Sequence, residues 1–544
     1  MFAAPGYCQV VGVINQRVST QDTDHFTYGI GFQLNLPNTW TGRFELMGGG
    51  GTDGSLPSAT GGAAGLELSQ GWAVASNDGG HEDRLPNPFG WADTDNNAGG
   101  TAHFAVDEQA RTVYGYDAMA QTSAVSKEII AHYYGRDTLY SYFWGCSNGG
   151  REGMLASERF PDIFDGIVAG NPGFDLPQAA VAEAWNEQAL APLANRTDVS
   201  GNPYIPDTFP PQDLMVASAA ILSACDALDG LVDGIVDNYR ACSNRRVFPA
   251  LEAFTCSATG LHGNTPHGGT CLTAGQVSAL KKIYAGPVNS EDEPLYTDWY
   301  WDAGIWDPPA AAGFGWQAWN VGFDTPAPLV NNSANLTLGA GAVPMIFTTP
   351  PVVTPVSQQA AFLFNFNFDT QAQKIFAHTP DYPQSSMKFM AAVSHDLSPF
   401  KRHGGKMILY HGVNDGIFSS KSLVRWYEAM DRSTGDARSF TRLFLVPNMA
   451  HCGGGPATSD FSGNVLQAIT DWVEAHRTPE QIVAANAGTS SPFPAGGTRP
   501  LCPYPQLTRY KGIGPTNVAS SFVCVRSDDA DGGDNDHDDG HGRD

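Results

Sequence analysis

The stretch that decides the fold is FWGCSNGGREGM, residues 143–154. Ser147 stands between Gly145 and Gly149 in a G-x-S-x-G pattern. An aromatic, apolar segment precedes this pattern, and a segment with the spacing of a helix follows it. A sharp turn between strand and helix needs small neighbours and leaves the serine oxygen exposed at the helix N-terminus. The stretch therefore predicts a strand–turn–helix unit with Ser147 as a nucleophile.

A serine is a poor nucleophile alone, so a base and an orienting acid must lie elsewhere in the chain. Asp415, in ILYHGVNDG, follows one apolar segment, and His451, in LFLVPNMAHCG, follows the next. The order Ser, Asp, His is that of α/β-hydrolases. We expect Ser147 to attack an ester carbonyl, His451 to carry the proton, and Asp415 to hold the imidazole tautomer.

The oxyanion of this reaction would be held by backbone N–H groups. We expect one from Asn148 and one from the glycine run 48–51, with Gly50 and Gly51 as the candidates.

Other interpretations of these residues stay open. The serine could be an ordinary turn residue, the aspartate a helix cap, and the histidine one of 14. His395, Asp396 and His411 compete for the catalytic roles. They precede or begin strands, whereas catalytic groups belong at the carboxyl ends of strands, so we interpret them as structural.

The organisation of the chain predicts an α/β-hydrolase core interrupted by a large insertion. The first 170 residues alternate strands and helices, which implies parallel pairing, and the same alternation resumes near residue 386. The segment between is rich in Cys, Trp and Pro. We predict a core of residues 1–173 and 386–526, a lid domain of residues 174–385, and an acidic disordered tail of residues 527–544.

The net charge of −26 argues against nucleic-acid and membrane-surface partners, because an acidic surface repels phosphate and anionic lipid. No apolar run approaches the ~20 residues that cross a bilayer. The partner we expect is a small molecule, and the sequence does not indicate an oligomeric state.

Nine cysteines indicate an oxidising compartment, so we expect a secreted or periplasmic protein. The start of the chain lacks the features of a signal peptide, which suggests a mature or trimmed form. Three pairs, separated by 17, 15 and 22 residues, have the spacing of loop-closing disulfides: Cys225 and Cys242, Cys256 and Cys271, Cys502 and Cys524.

Cys146 and Cys452 adjoin the serine and the histidine. Cys146 could itself be the nucleophile, but it does not occupy the central position of the G-x-S-x-G turn. If Ser147 and His451 are hydrogen-bonded, the two cysteines lie within reach of one another, since bridged Cα atoms are ~4.4–6.8 Å apart.

At GCSNGGREGM, ILYHGVND and MAHCGGGP the chain resembles the tannase/feruloyl esterase family, and the likeness spans nearly its whole length. The resemblance implies a disulfide between Cys146 and Cys452, a lid over the active site, and esters of aromatic acids as substrates. It also implies that Trp319 stacks on the substrate ring, although a core tryptophan would explain this residue nearly as well.

The segment CDALDGLVDGIVDNYRAC resembles the family's calcium site in the lid. The resemblance implies carboxylate ligands from Asp226, Asp229 and Asp233 and carbonyl ligands from Leu231 and Ile235. Closely spaced carboxylates with intervening glycines suit a hard cation that prefers oxygen, and the expected role of Ca²⁺ is structural.

The chain departs from the family's terephthalate monoester hydrolases in one respect. It has no arginine between Arg246 and Arg402, so the lid lacks the guanidinium that those enzymes use to bind the substrate's carboxylate. A bidentate arginine is hard to replace with a neutral side chain. We therefore expect neutral hydroxycinnamic or gallic esters to be the better substrates.

Three alternatives remain open. The first is activity like that of mono(2-hydroxyethyl) terephthalate hydrolases, and the second is a silent binding protein that retains the fold. A serine peptidase could share the triad but would need an open cleft.

Overall fold

The computed structural model describes residues 6–256, 270–306, 315–455, 461–486 and 496–526. The predicted tail, residues 527–544, and two parts of the predicted lid, residues 257–269 and 307–314, lie outside the described residues.

An eight-stranded sheet forms the centre of the molecule, in the order β1-β2-β4-β3-β5-β6-β7-β8. Strands β3 to β8 run parallel, while β1 pairs antiparallel with β2 and β2 pairs antiparallel with β4. The strands are Tyr7–Val18 (β1), Thr27–Pro37 (β2), Arg43–Met47 (β3), Ala73–Asn77 (β4), Tyr140–Cys146 (β5), Gly166–Gly170 (β6), Lys406–Gly412 (β7) and Thr441–Val446 (β8).

Fifteen α-helical segments occur in the described residues. They are Leu66–Ser69 (α1), Glu108–Thr112 (α2), Ala118–Tyr134 (α3), Asn148–Arg159 (α4), Leu176–Leu190 (α5), Pro211–Cys225 (α6), Asn244–Ala253 (α7), Ala274–Ala285 (α8), Trp316–Asn320 (α9), Ala340–Ala342 (α10), Val356–Phe364 (α11), Ser386–Met390 (α12), Ser398–His403 (α13), Ser420–Thr434 (α14) and Ser462–Ala475 (α15). None of the described helices is long and apolar enough to cross a membrane.

Helices cover both faces of the sheet because successive side chains of each strand point to opposite faces. Along β5, Phe143 packs into a core with residues of α3, α4 and α14. Its neighbours Tyr142 and Trp144 pack on the other face with residues of α15. Burying a large apolar side chain contributes roughly 1.5–3 kcal/mol, so a strand buried on both faces is strongly fixed in register.

The inserted segment, residues 171–405, lies between β6 and β7 and carries α5 to α13. Its helices share a separate apolar core that includes Trp301, Trp316 and Trp319. The predicted lid, residues 174–385, falls within this segment. After α15 the chain forms two small antiparallel pairs, from Ile482–Ala485 (β9) with Thr498–Leu501 (β10) and from Gln506–Tyr510 (β11) with Phe522–Arg526 (β12).

Candidate active site

Ser147 occupies a strained turn between β5 and α4. Its φ of 64° lies in the left-handed region, which is uncommon for a residue with a side chain. The Ser147 N–H donates to the Gly170 carbonyl at 2.9 Å, which holds the turn against the end of β6. A Cβ on Gly145 would lie 2.4 Å from the carbonyl carbon of Gly149, so the flanking positions have no room for a side chain. This packing explains the G-x-S-x-G pattern.

Asp415 and His451 meet beside this turn. They follow the neighbouring parallel strands β7 and β8, whose carboxyl ends lie at one edge of the sheet. His451 Nδ1 lies 2.8 Å from Asp415 Oδ2, and both side chains are buried. Asn171 Nδ2 donates to the same carboxylate oxygen at 2.7 Å, while Asp415 Oδ1 accepts two backbone N–H bonds, from Ile417 at 3.0 Å and Phe418 at 3.1 Å.

These contacts keep the Asp415 carboxyl ionised. Burial alone would raise its pKa, but His451, His411 and the hydrogen bond from Asn171 together bring that pKa below its ordinary value. A carboxylate facing Nδ1 favours the tautomer that carries its proton on Nδ1 and leaves Nε2 as a base. Asn171 was not predicted from the sequence, although its position directly after β6 places it at the functional edge of the sheet.

A disulfide joins the serine turn to the histidine loop. Cys146 and Cys452 are bonded, with their Cα atoms 5.9 Å apart across a sequence separation of 306 residues. Since Ser147 and His451 are the next residues to these cysteines, the disulfide fixes the two side chains in one neighbourhood. It also removes the Cys146 thiol and with it the alternative nucleophile.

The other predicted disulfides are present as well: Cys225–Cys242, Cys256–Cys271 and Cys502–Cys524. Among the described residues, Cys8 is the one cysteine outside a disulfide, and it is exposed.

A cavity of about 380 Å³, part of it open to solvent, lies over Ser147. The inserted segment supplies most of its apolar wall, with Leu176, Trp319, Leu338 and Phe347. Trp319 also stands edge-on to the His451 ring at a centroid distance of 5.1 Å. The described lining residues include no lysine or arginine.

The glycine run at the end of β3 reaches the same cavity. Gly51 and Asn148 line it, whereas the Gly50 N–H donates to Asp53 Oδ1 at 2.8 Å. The Tyr114 hydroxyl donates to the Gly51 carbonyl at 3.0 Å and so holds the peptide between Gly51 and Thr52. The geometry favours Gly51 over Gly50 as the second donor of an oxyanion site.

Two of the competing residues lie away from the triad, and the third, His411, lies beside Asp415. His395 and Asp396 are exposed on the connection before α13. The expectation that His411 begins a strand is wrong, because it is the last but one residue of β7 and so lies at the carboxyl end of the strand. It is buried, its Nδ1 lies 2.9 Å from the Gly412 carbonyl, and its Nε2 lies 4.0 Å from Asp415 Oδ2.

The aspartates of the predicted calcium loop are arranged in a turn closed by Cys225–Cys242. Asp226 accepts the Gly234 N–H at 3.1 Å, and Asp229 accepts the Leu231 N–H at 3.0 Å. Burial and the neighbouring Asp237 raise the pKa of Asp229 to about 8. Arg499 pairs with Asp233 at 2.6 Å and with Asp237 at 2.8 Å, so one guanidinium faces several carboxyl groups.

The candidate ligand atoms of this loop are all oxygens, which are the ligands that calcium prefers. The carboxyl groups are not gathered tightly, however. In the part of the chain that the structure describes, the one group of three His, Cys, Asp or Glu side chains with ligand atoms within 4.8 Å of one another is Asp22, Asp24 and His103.

Comparison with known proteins decides the family. The model of the tannase and feruloyl esterase family matches residues 8–525. The chain belongs to the tannase and feruloyl esterase family. It is 44% identical over 533 residues to a mono(2-hydroxyethyl) terephthalate hydrolase of Piscinibacter sakaiensis, covering 96% of this chain and 85% of that protein. It is 30% identical to a probable feruloyl esterase of Arthroderma benhamiae, over 91% of this chain and 82% of the relative.

Solved structures agree with the predicted fold class, which is confirmed. Feruloyl esterase B from Aspergillus oryzae superimposes with a TM-score of 0.69 at 26% identity, covering 95% of this chain and 91% of that one. A tannin acyl hydrolase from Aspergillus niger superimposes with a TM-score of 0.64 at 21% identity, over 96% and 92%, and supports the fold alone. As a member of this family the chain is a carboxylic ester hydrolase of the tannase/feruloyl esterase type.

Proposed function

We propose that Ser147, His451 and Asp415 form a catalytic triad that hydrolyses esters of aromatic acids through an acyl-enzyme. The observation that carries the proposal is the hydrogen bond of 2.8 Å between His451 and Asp415 beside the disulfide-anchored Ser147 turn. Relatives named as feruloyl esterase and as terephthalate ester hydrolase support the substrate class.

In the first half of the reaction Ser147 Oγ attacks the ester carbonyl carbon and its proton passes to His451 Nε2. The charge on the carbonyl oxygen is stabilised by the backbone N–H groups of Asn148 and Gly51. The C–O bond to the alcohol then breaks, and the alcohol leaves with the proton from His451. In the second half, water gives a proton to His451 and attacks the acyl-enzyme, which releases the acid and restores the serine.

The inserted segment acts as the lid of this site in our proposal. Its aromatic and aliphatic side chains, Trp319, Leu338 and Phe347, offer an apolar surface for a flat ring. Because the described wall offers no guanidinium or ammonium group, a free carboxylate on the ring would lose its hydration without gaining a cation. Neutral esters such as alkyl ferulates and gallates are the proposed substrates.

An ester panel tests this proposal. Methyl ferulate, methyl gallate and mono(2-hydroxyethyl) terephthalate should be ranked by kcat/KM, and we expect the two neutral esters to exceed the third by at least tenfold. The physical reason is the uncompensated burial of the terephthalate carboxylate. A preference for the terephthalate monoester would contradict the proposed substrate, and failure to react with a fluorophosphonate probe would favour the silent binding protein.

We further propose that the loop of residues 225–242 binds a structural calcium ion. Asp226, Asp229 and Asp233 would supply carboxylates, and Leu231 and Ile235 carbonyl oxygens. The loop resembles the calcium site of the family, which supports this proposal. Its carboxyl groups also outnumber the one guanidinium, that of Arg499, which pairs with two of them. A bound divalent cation would offset the burial and the repulsion from Asp237 that raise the pKa of Asp229.

Chelation is expected to lower the Tm of the protein by several degrees. An ion present at a hundredfold excess over its Kd contributes about 2.7 kcal/mol to the folded state. The measurement is a thermal melt with EGTA, followed by restoration with calcium and a parallel attempt with magnesium. Asp226→Asn is the matched variant, whose Tm should no longer respond to EGTA; an unchanged Tm in the unsubstituted protein would remove the calcium proposal.

The disulfides also indicate the cellular compartment of the protein. Four disulfides are stable where the surroundings are oxidising, so we propose a secreted or periplasmic location.

A further inference from the structure

Glu183 is an acidic side chain in the wall of an otherwise apolar part of the cavity. It lies in α5, at the start of the inserted segment, and is 4% exposed. It lines the same cavity as Ser147 and Trp319. Among the described lining residues, it is the one ionisable side chain that the inserted segment contributes.

The Glu183 carboxyl group occupies the space that a side chain at Gly339 would fill. A Cβ built on Gly339 would lie 1.5 Å from Glu183 Oε2, so any larger residue there would displace the carboxyl. Leu338 and Ala342, on either side of Gly339, line the cavity too. The carboxyl group therefore lies against the wall segment on which a substrate ring would rest.

In the described residues, one oxygen of the Glu183 carboxyl group lacks a hydrogen-bond partner. Within the described structure, Glu183 Oε2 is buried without a hydrogen-bond partner. Burying such a group unpaired is unfavourable, and a ligand that forms the bond would remove this cost. Burial alone raises the pKa of Glu183 to about 8, so at neutral pH the group is largely protonated and can donate as well as accept.

The ionisable neighbour of Glu183 on the same helix is a second buried acid. Glu187, one turn further along α5, is buried and accepts a hydrogen bond from Ser333 Oγ at 3.2 Å. Its own pKa is raised by burial and, to a smaller extent, by Glu183. A phenol would bring to this region a neutral group that can both donate and accept a hydrogen bond.

We propose that Glu183 selects the acyl group by hydrogen-bonding a phenolic hydroxyl on its ring. This inference rests on the proposed function, because it needs the acyl ring to occupy the cavity over Ser147. Glu183 is thus a specificity-determining residue and takes no part in the bond-breaking steps.

The test compares methyl 4-hydroxybenzoate with methyl benzoate, which differ by one hydroxyl group. The readout is the ratio of their kcat/KM values, corrected for the ratio of their alkaline hydrolysis rates. We expect a ratio of about 5 in the unsubstituted enzyme, since a hydrogen bond to a buried polar group contributes about 1 kcal/mol net. Glu183→Leu should bring the ratio to about 1, through a higher KM for the phenolic ester.

Two matched variants separate the hydrogen bond from packing. Glu183→Gln keeps the shape and a neutral donor and acceptor, so its ratio should stay within about threefold of the unsubstituted value. Glu187→Gln changes the other buried glutamate of α5 and should leave the ratio unchanged.

Two results would overturn the inference: a corrected ratio below about 2 in the unsubstituted enzyme, which needs no variant to fold, or an unchanged ratio in folded Glu183→Leu. If hydrolysis depends on Ser147 but the ratio is near 1, the inference alone fails. If hydrolysis does not depend on Ser147, the proposed function fails.

Discussion

Ser147→Ala is expected to lower kcat/KM for methyl ferulate by about 10⁵-fold, because the nucleophile of a serine hydrolase acts as a unit with its base. The substitution removes only the hydroxyl group. The strained turn is held by the backbone bond from Ser147 to Gly170 and by the packing of Gly145 on Gly149, and both remain. Initial rates at saturating and limiting substrate give the comparison.

The control for this variant is its stability and its reaction with a fluorophosphonate. The Tm should match that of the unsubstituted protein within about 2 °C, and labelling should be lost. If folded Ser147→Ala retained a tenth of the activity, Ser147 would not be the nucleophile, and the triad would have to be abandoned.

Asp415→Asn is expected to lower kcat by about 10⁴-fold, as an amide in this position stabilises the wrong histidine tautomer. The Asn oxygen can keep the two backbone N–H bonds that Asp415 Oδ1 accepts from Ile417 and Phe418. Its amide nitrogen would then face His451 Nδ1, so that Nε2 carries the proton and can no longer accept one from Ser147.

The matched control is Asp396→Asn, since both aspartates flank β7 in the sequence. Asp396 is exposed, and the activity of the Asp396→Asn variant should stay within about twofold of that of the unsubstituted enzyme. The pair therefore distinguishes the two acids that the sequence offers. Equal losses in both variants, or no loss in Asp415→Asn, would contradict the assignment of the orienting acid.

The sequence predicted the parallel part of the sheet well, because its strands are short apolar segments that end in recognisable polar turns. β5 and α4 were predicted as the strand and the helix on either side of the Ser147 turn. The antiparallel edge formed by β1 and β2 was not predicted. Strand direction depends on contacts between segments that are distant in the chain, and residue periodicity carries no information about it.

The site residues also differ in how well the sequence predicts them. Ser147, Asp415 and His451 follow strands and stand in small-residue motifs, so the sequence singled them out as candidates. Glu183 stands in a helix among alanines, where a glutamate normally indicates a solvent face. Only the packing of the inserted segment over the core shows that this side chain is buried beside the cavity.

The disulfide between Cys146 and Cys452 also closes residues 146–452 into a covalent ring. Everything between these residues, including the whole inserted segment, is a loop whose two ends are covalently joined. A protease that cuts this loop once cannot separate the half that carries Ser147 from the half that carries His451. After such a cut the two halves stay covalently linked, and their separation also requires reduction of this disulfide.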